Sequence, residues 1–322
     1  MAKRPIFHSY SGKGGIFHQI RKIYAVNVKV LGKSNLPKIM KRFGGKLNIL
    51  LEIINSYIMR NNIFQQRENW DKLSKLDPYW SILVSPDKID NKWDLNEFYA
   101  TGKIQVTKLL NYLKGIGLTT HVNNALDYGC GAGRLSETLS EYFDHVTGVD
   151  FSQNMINIAK AHNQFKNLNY ENVNGKDLSN IQAKTFDFIV SLITLQHSLP
   201  KIQYNLLKEM VRVVKDDGVI VISMVTHMGL SNSLRNAINY VNPNITNYFL
   251  QFWQRIKGRK LGHYDENAAS QMFPISKRKV EVTLRNLGMD LKYINTAEIS
   301  YKGDSKLELF IISSTSKLST RS

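Results

Sequence analysis

Cysteine is almost absent from this chain. One thiol, Cys130, stands among 322 residues. No internal disulfide can form, which fits a reducing compartment. Long apolar runs are missing as well. No segment approaches the roughly 18 to 20 uninterrupted apolar residues of a transmembrane helix. The start, MAKRPIFHSYSGKGG, has no apolar signal-peptide core, so a cytoplasmic location is expected. Metal patterns are lacking: there is no H-E-x-x-H and no Cys/His ligand cluster. The G-x-S-x-G elbow of serine hydrolases is missing too. Ser11-Gly12-Lys13-Gly14-Gly15 lacks the spacing of a phosphate loop and has no strand before it. Acid is scarce at one end. Residues 1–60 hold twelve Lys or Arg against the single acid Glu52, in a chain of net charge +17. Such an arm suits a nucleic acid, an anionic surface or a phosphorylated substrate, or it is simply a solvated face.

What is present centres on Leu126-Asp127-Tyr128-Gly129-Cys130-Gly131-Ala132-Gly133-Arg134, followed by Gly148-Val149-Asp150. An apolar run ends in an acid, and three glycines follow at alternate positions. A helix-like stretch then leads to a second apolar run that also ends in an acid. This reads as strand, tight turn, helix, strand, a geometry that holds a nucleoside-bearing cofactor. A dinucleotide fingerprint needs G-x-G-x-x-G. Counted from Gly129 its last position is Arg134, and from Gly131 it is Ser136. NAD and FAD are therefore disfavoured. Cys130 reads as a small space-filler in the turn.

The rest of the chain alternates. Residues 37–60 carry apolar residues at helical steps, from Ile39 to Ile58. Residues 64–104 hold three of the four tryptophans, in a segment that suits either a lid over a flat ligand or a hydrophobic plug. Val106, Leu109, Leu110 and Leu113 mark a helix. Strands are expected at 122–128, 146–150, 168–173, 186–192 and 219–222, with Asp216-Asp217-Gly218 turning the chain into the last of these. Helices are expected at 134–143, after Ser152 as N-cap, and over 202–214. This alternation implies a doubly wound, mostly parallel α/β sheet. A helix near Val280 to Leu287 and two strands, 291–294 and 307–312, follow. Residues 226–275 form a long insertion beyond the carboxyl ends of the strands, placed to wall a substrate pocket. Three parts are expected: a basic, partly helical N-terminal extension (1–62), an aromatic leader (63–104), and a main domain (105–322) with the cap insertion 226–275.

D-x-G-x-G-x-G with an acid closing the next strand resembles the class I S-adenosylmethionine-dependent methyltransferases. The leader W-D-x-L-x-x-x-D-P-Y-W with W-D-x-x-x-F-Y-A-T-G is similar to that of some bacterial members. The resemblance implies a seven-stranded sheet with a closing antiparallel strand, and S-adenosyl-L-methionine as cofactor. It implies that Gly129, Gly131 and Gly133 let the backbone approach the cofactor, with Asp127 orienting the turn. Asp150 would take both ribose hydroxyls, next to Phe151 and Met155. Asp177 would accept from the adenine amino group, the Leu178 backbone would meet the ring, and Gly102 would lie over the methionine end. Ser191 leads to the end of the fourth strand, which faces the transferred methyl group. There His197 is either a general base or a histidine packed under the cofactor or capping the next helix. Tyr99, His227, His263, Tyr264, Asp265 and Glu266 are further candidates for base or acceptor contact. The expected activity is methyl transfer to an oxygen or nitrogen of a small-molecule acceptor. Alternatives are an RNA or other polyanion as acceptor, or a noncatalytic cofactor-binding subunit of a partner. Oligomeric state is not readable.

Overall fold

The computed structural model describes residues 63–118, 121–228, 272–294 and 306–314. The expected helix at 37–60, the basic arm, and most of the insertion, with His263, Tyr264, Asp265 and Glu266, lie outside the described residues. Over those that are described, three helices lead: α1 (Ile63–Leu76), α2 (Pro78–Ile82) and α3 (Leu95–Gly115). Then come β1 (Asn124–Tyr128), α4 (Arg134–Leu139), β2 (His145–Asp150), α5 (Gln153–His162) and β3 (Leu168–Asn172). β4 (Phe186–Ser191), a 3-10 turn (Leu195–His197), α6 (Pro200–Val213) and β5 (Val214–His227) follow. α7 (Lys277–Arg285), β6 (Met289–Ile294) and β7 (Lys306–Ser314) complete the domain.

The seven strands form one sheet in the order β3-β2-β1-β4-β5-β7-β6. β1 to β5 pair in parallel, and β7 runs antiparallel to both β5 and β6. Strand order reverses at β1, so a crevice opens beyond the carboxyl ends of β1 and β4. Side chains alternate in β4 and β5, and both faces are buried. On one face Ile189, Ile220, Ile222 and Phe310 meet Leu206, Leu207 and Met210 of α6 and Val280 and Leu284 of α7. On the other, Phe188, Val190, Val219 and Val221 meet Val106 and Leu109 of α3, Leu139 of α4 and Ile156 of α5. Burial on both faces explains why these strands read as continuous apolar runs.

Caps explain several boundaries. Asp77 caps α2 through the Trp80 N–H, with Pro78 at the first helical position, and its other oxygen accepts the Asn91 N–H at 2.7 Å. Asp94 caps α3, Ser152 caps α5 and Ser276 caps α7. α4 ends at Leu139, short of the expected 143.

α3 spans positions 104 and 105, running unbroken from the leader segment into the part that follows. One expectation needs correction. Asp216-Asp217-Gly218 is not a turn before the fifth strand. β5 already begins at Val214 and runs to His227, past the expected start of the insertion at 226. The register jumps from Phe186–Val214 to Phe188–Val219, so the chain bulges out of the ladder between them. The bulge lets Lys215 reach the buried Asp187 carboxylate, 2.9 Å from both oxygens. Gly218 is required there, because a Cβ would stand 2.5 Å from Val214 Cγ2 and 2.9 Å from the Asp187 carbonyl oxygen.

Candidate functional site

The glycine turn sits where β1 hands over to α4. Gly129, Gly131 and Gly133 all have positive φ, at 77°, 54° and 90°, which side-chain-bearing residues rarely adopt. The turn is also crowded by the protein itself. A Cβ on Gly131 would meet Ile82 Cδ1 at 2.7 Å, and one on Gly133 would meet the Tyr170 hydroxyl at 2.1 Å. Gly102 is buried on α3, where a Cβ would stand 2.0 Å from the Arg134 carbonyl oxygen. Its immediate role is to let α3 approach α4.

Two acids brace the turn. Asp127, 1% exposed, accepts the Ser136 hydroxyl at 2.6 Å. Burial pushes its carboxyl up to about 6, against the opposing pull of Ser136 and Arg134. Asp150 ends β2 and accepts the Gly131 N–H at 3.1 Å on one oxygen and the Ser152 N–H at 2.8 Å on the other. Desolvation raises it to about 6 as well. Each of its oxygens keeps acceptor capacity, which suits a vicinal diol. Phe151 packs against the core cluster beside it, and Met155 is buried in α5.

The leader covers this end of the sheet. From α1, Arg67 donates to the Val173 carbonyl, Asp71 accepts the Ser152 hydroxyl, and Ser74 accepts from Asn154. Ile82 of α2 lies against Gly131, and the Tyr99 hydroxyl of α3 donates to the Ala132 carbonyl at 2.9 Å. Tyr99 was a candidate base. Here its phenol is a donor to the glycine turn, and burial raises its pKa, so it holds its proton. The leader is also a plug: Phe98 is fully buried among the rings of Tyr79, Trp93 and Tyr99. The hydrophobic plug expected of this segment is therefore present.

The exit of β4 carries an outlier. Ile193, a β-branched residue, has φ +59°, a conformation that costs energy and clusters at functional sites. Its N–H donates to Ser223 Oγ at 2.6 Å. Thr194 then lies against Gly129, and His197 ends the 3-10 turn with its ring edge-on to Trp70, centroids 5.2 Å apart. Ser191 Oγ and both ends of the Gln196 carboxamide are buried without a hydrogen-bond partner. Orphaned polar atoms are costly unless something meets them. The polar groups here fit a polar cofactor: two acceptor acids at the turn and an orphan hydroxyl at the β4 exit. His227 ends β5, exposed, opposite Lys306.

After β3, Asp177 holds Asn174 Nδ2 and both the N–H and the hydroxyl of Ser179 on one oxygen, which lowers its pKa. Leu178 is held by the protein itself. Its side chain is in the core, and its N–H donates to Glu209 Oε2 at 3.1 Å, so its backbone donor is already engaged.

Several contributors were not legible as site residues. Arg67, Asp71 and Ile82 act through tertiary packing that no local pattern marks. Tyr170 fills the space of two absent side chains, those of Gly133 and Gly148. Gly148, inside an apolar strand, was the available signal for such a close approach.

Comparison with known proteins agrees with this geometry. Residues 126–222 match the family described as methyltransferase domain. The ubiquinone biosynthesis O-methyltransferase of Coxiella burnetii is 35% identical over 130 residues, 38% of this chain and 54% of that protein. The malonyl-[acyl-carrier protein] O-methyltransferase of Bacillus cereus is 31% identical over 124 residues, 37% of this chain and 44% of that protein. The chain thus spans about half the length of the curated relatives it matches. A SAM-dependent methyltransferase of Leishmania major superposes with a TM-score of 0.52 at 12% identity, over 78% of this chain and 82% of that one, a likeness of fold. Turn, acids, sheet order and sequence match converge: residues 126–222 match the methyltransferase domain family, and the sheet has the fold of a SAM-dependent methyltransferase.

Proposed function

We propose that this protein binds S-adenosylmethionine beyond the carboxyl ends of β1 and β4 and methylates an oxygen nucleophile of a small-molecule acceptor. One observation carries the reading. Asp150 ties the glycine turn to the end of β2 through the Gly131 N–H and still offers acceptor sites at the crevice. When bound, the cofactor supplies an activated methyl group on a sulfonium.

The protein's task is then positioning and exclusion of water. Asp150 accepts the ribose hydroxyls, and Asp177 accepts the base's amino group. Asp127 and Ser136 keep the turn rigid. The α1 and α2 contacts to Ser152, Asn154 and Gly131 shield the site from bulk water. His197 stands at the β4 exit and takes the acceptor's proton as the methyl group arrives. Both relatives described above are named O-methyltransferases, which favours oxygen over nitrogen.

The test is calorimetric titration with S-adenosylmethionine, S-adenosylhomocysteine and NAD. Micromolar binding of the two sulfur compounds and none of NAD is expected. Binding of NAD alone would overturn the reading. Salt dependence of acceptor turnover then separates a small neutral acceptor from a polyanion, whose affinity falls steeply with salt.

A further inference from the structure

We infer that a polar stripe on α6, made by Asn205, Glu209 and Arg212, positions the loop that selects the purine of the cofactor; this rests on the cofactor reading above. The three residues are spaced by four and three positions, so they share one helix face. All three grip the backbone of the loop that follows β3. Asn205 Nδ2 donates to the Lys176 carbonyl at 2.8 Å. Glu209 Oε2 accepts the Leu178 N–H at 3.1 Å. Arg212 donates to the Leu178 carbonyl at 2.7 Å and to the Ile181 carbonyl at 2.9 Å. Glu209 and Arg212 also lock each other through two bonds, at 3.0 and 2.8 Å, the bidentate geometry that fixes both side chains.

The grip falls on both sides of Asp177. Lys176 is held before it, and both polar groups of the Leu178 backbone are held after it. One oxygen of Asp177 serves Asn174 and Ser179. Among the described residues, its Oδ2 receives no hydrogen bond. Because Glu209 occupies the Leu178 N–H, base selection at this loop falls to that oxygen alone. A carboxylate only accepts. It therefore takes a 6-aminopurine and rejects a 6-oxopurine, which presents a lone pair in the same place. Glu209 and Arg212 bond the loop backbone and act through it. They are positioning residues.

The test compares binding of S-adenosylhomocysteine and S-inosylhomocysteine by calorimetry, alongside ligand-free melting temperatures. Wild type is expected to prefer the amino compound about tenfold or more, the range for a hydrogen bond to a charged group. Glu209→Met and Arg212→Met are expected to bring that ratio towards one. Glu209→Gln keeps an acceptor for the Leu178 N–H and is expected to retain most of it. If both compounds weaken equally in the Met variants, the stripe is merely structural and the inference falls. It also falls if the ratio is unchanged. Equal binding of the two compounds by wild type overturns it while leaving the cofactor reading standing. No binding of S-adenosylhomocysteine by wild type overturns the cofactor reading itself.

Discussion

Thr194 stands where a side chain on Gly129 would have to go: its Cγ2 lies 2.1 Å, and its Oγ1 2.4 Å, from the position of a Cβ there. The two residues are 65 positions apart in sequence, yet they join the exits of β1 and β4. Gly129→Ala is expected to destabilise the protein by about 3 kcal/mol, from a clash added to a left-handed backbone. Thr194→Gly in the same chain removes the clash and leaves roughly 1 kcal/mol of backbone cost. Urea unfolding checks this. A double variant no more stable than Gly129→Ala would show that Thr194 is not the obstacle.

Asp150→Ala should lose cofactor binding. On the proposed placement two charge-assisted hydrogen bonds to the ribose are at stake, together about 3 kcal/mol or roughly a hundredfold in Kd. Calorimetry with S-adenosylhomocysteine reads this directly. Circular dichroism must accompany it, because the same carboxylate also holds the Gly131 and Ser152 N–H groups. Undiminished affinity would mean that the ribose lies elsewhere.

Glu137 gives a pH signature. It lies in an open groove between α3 and α4, with Tyr99, Lys103, Glu141 and Phe165. Desolvation raises its carboxyl from 4.5 to about 7. The folded state then holds a proton that the unfolded state has released, so stability falls as pH rises from about 4.5 to 7 and levels off above. Glu137→Gln removes this loss. The variant should match wild type at pH 4 and melt higher at pH 8. Because the group is only half-buried, the gain is about 1 kcal/mol at most, or roughly 2 °C. A constant difference across pH would count against the assignment.

Asp187 is 1% exposed and holds Lys215 and the Asn124 N–H, the latter at 2.9 Å. Asp187→Ala leaves both donors without their acceptor and should cost about 3 kcal/mol. Asp187→Asn keeps an acceptor for one of them and should cost less. Chemical denaturation of the two variants decides, and equal midpoints for both and wild type would sink the idea.

Much of this was legible in the sequence for a physical reason. Strands buried on both faces, such as Phe186–Ser191, are apolar throughout, and amphipathic helices such as Pro200–Val213 carry a clear period. The glycine turn was legible because positive φ at three alternate positions demands three glycines. Legibility ended where contact is made by residues distant in sequence. Nothing near Ile82 announces that it covers Gly131, and nothing near Asp71 announces Ser152. The same holds for the DDG segment. Its composition signals a turn, but Asp187 draws Lys215 inward and converts the segment into a bulge. Nor does anything near Leu178 announce that an acid thirty-one residues away takes its N–H.

One consequence of the strand order concerns how the chain is made. β7 lies between β5 and β6, so residues 306–314 cover the edge of β5. During synthesis about eighty residues must follow β5 before its edge is paired. Until then the run Val219-Ile220-Val221-Ile222-Ser223-Met224-Val225 stands as an open, apolar strand edge with no charge to blunt it. On the ribosome that run is exposed to a chaperone or to aggregation. Final closure of the sheet waits for residues 306–314 to emerge.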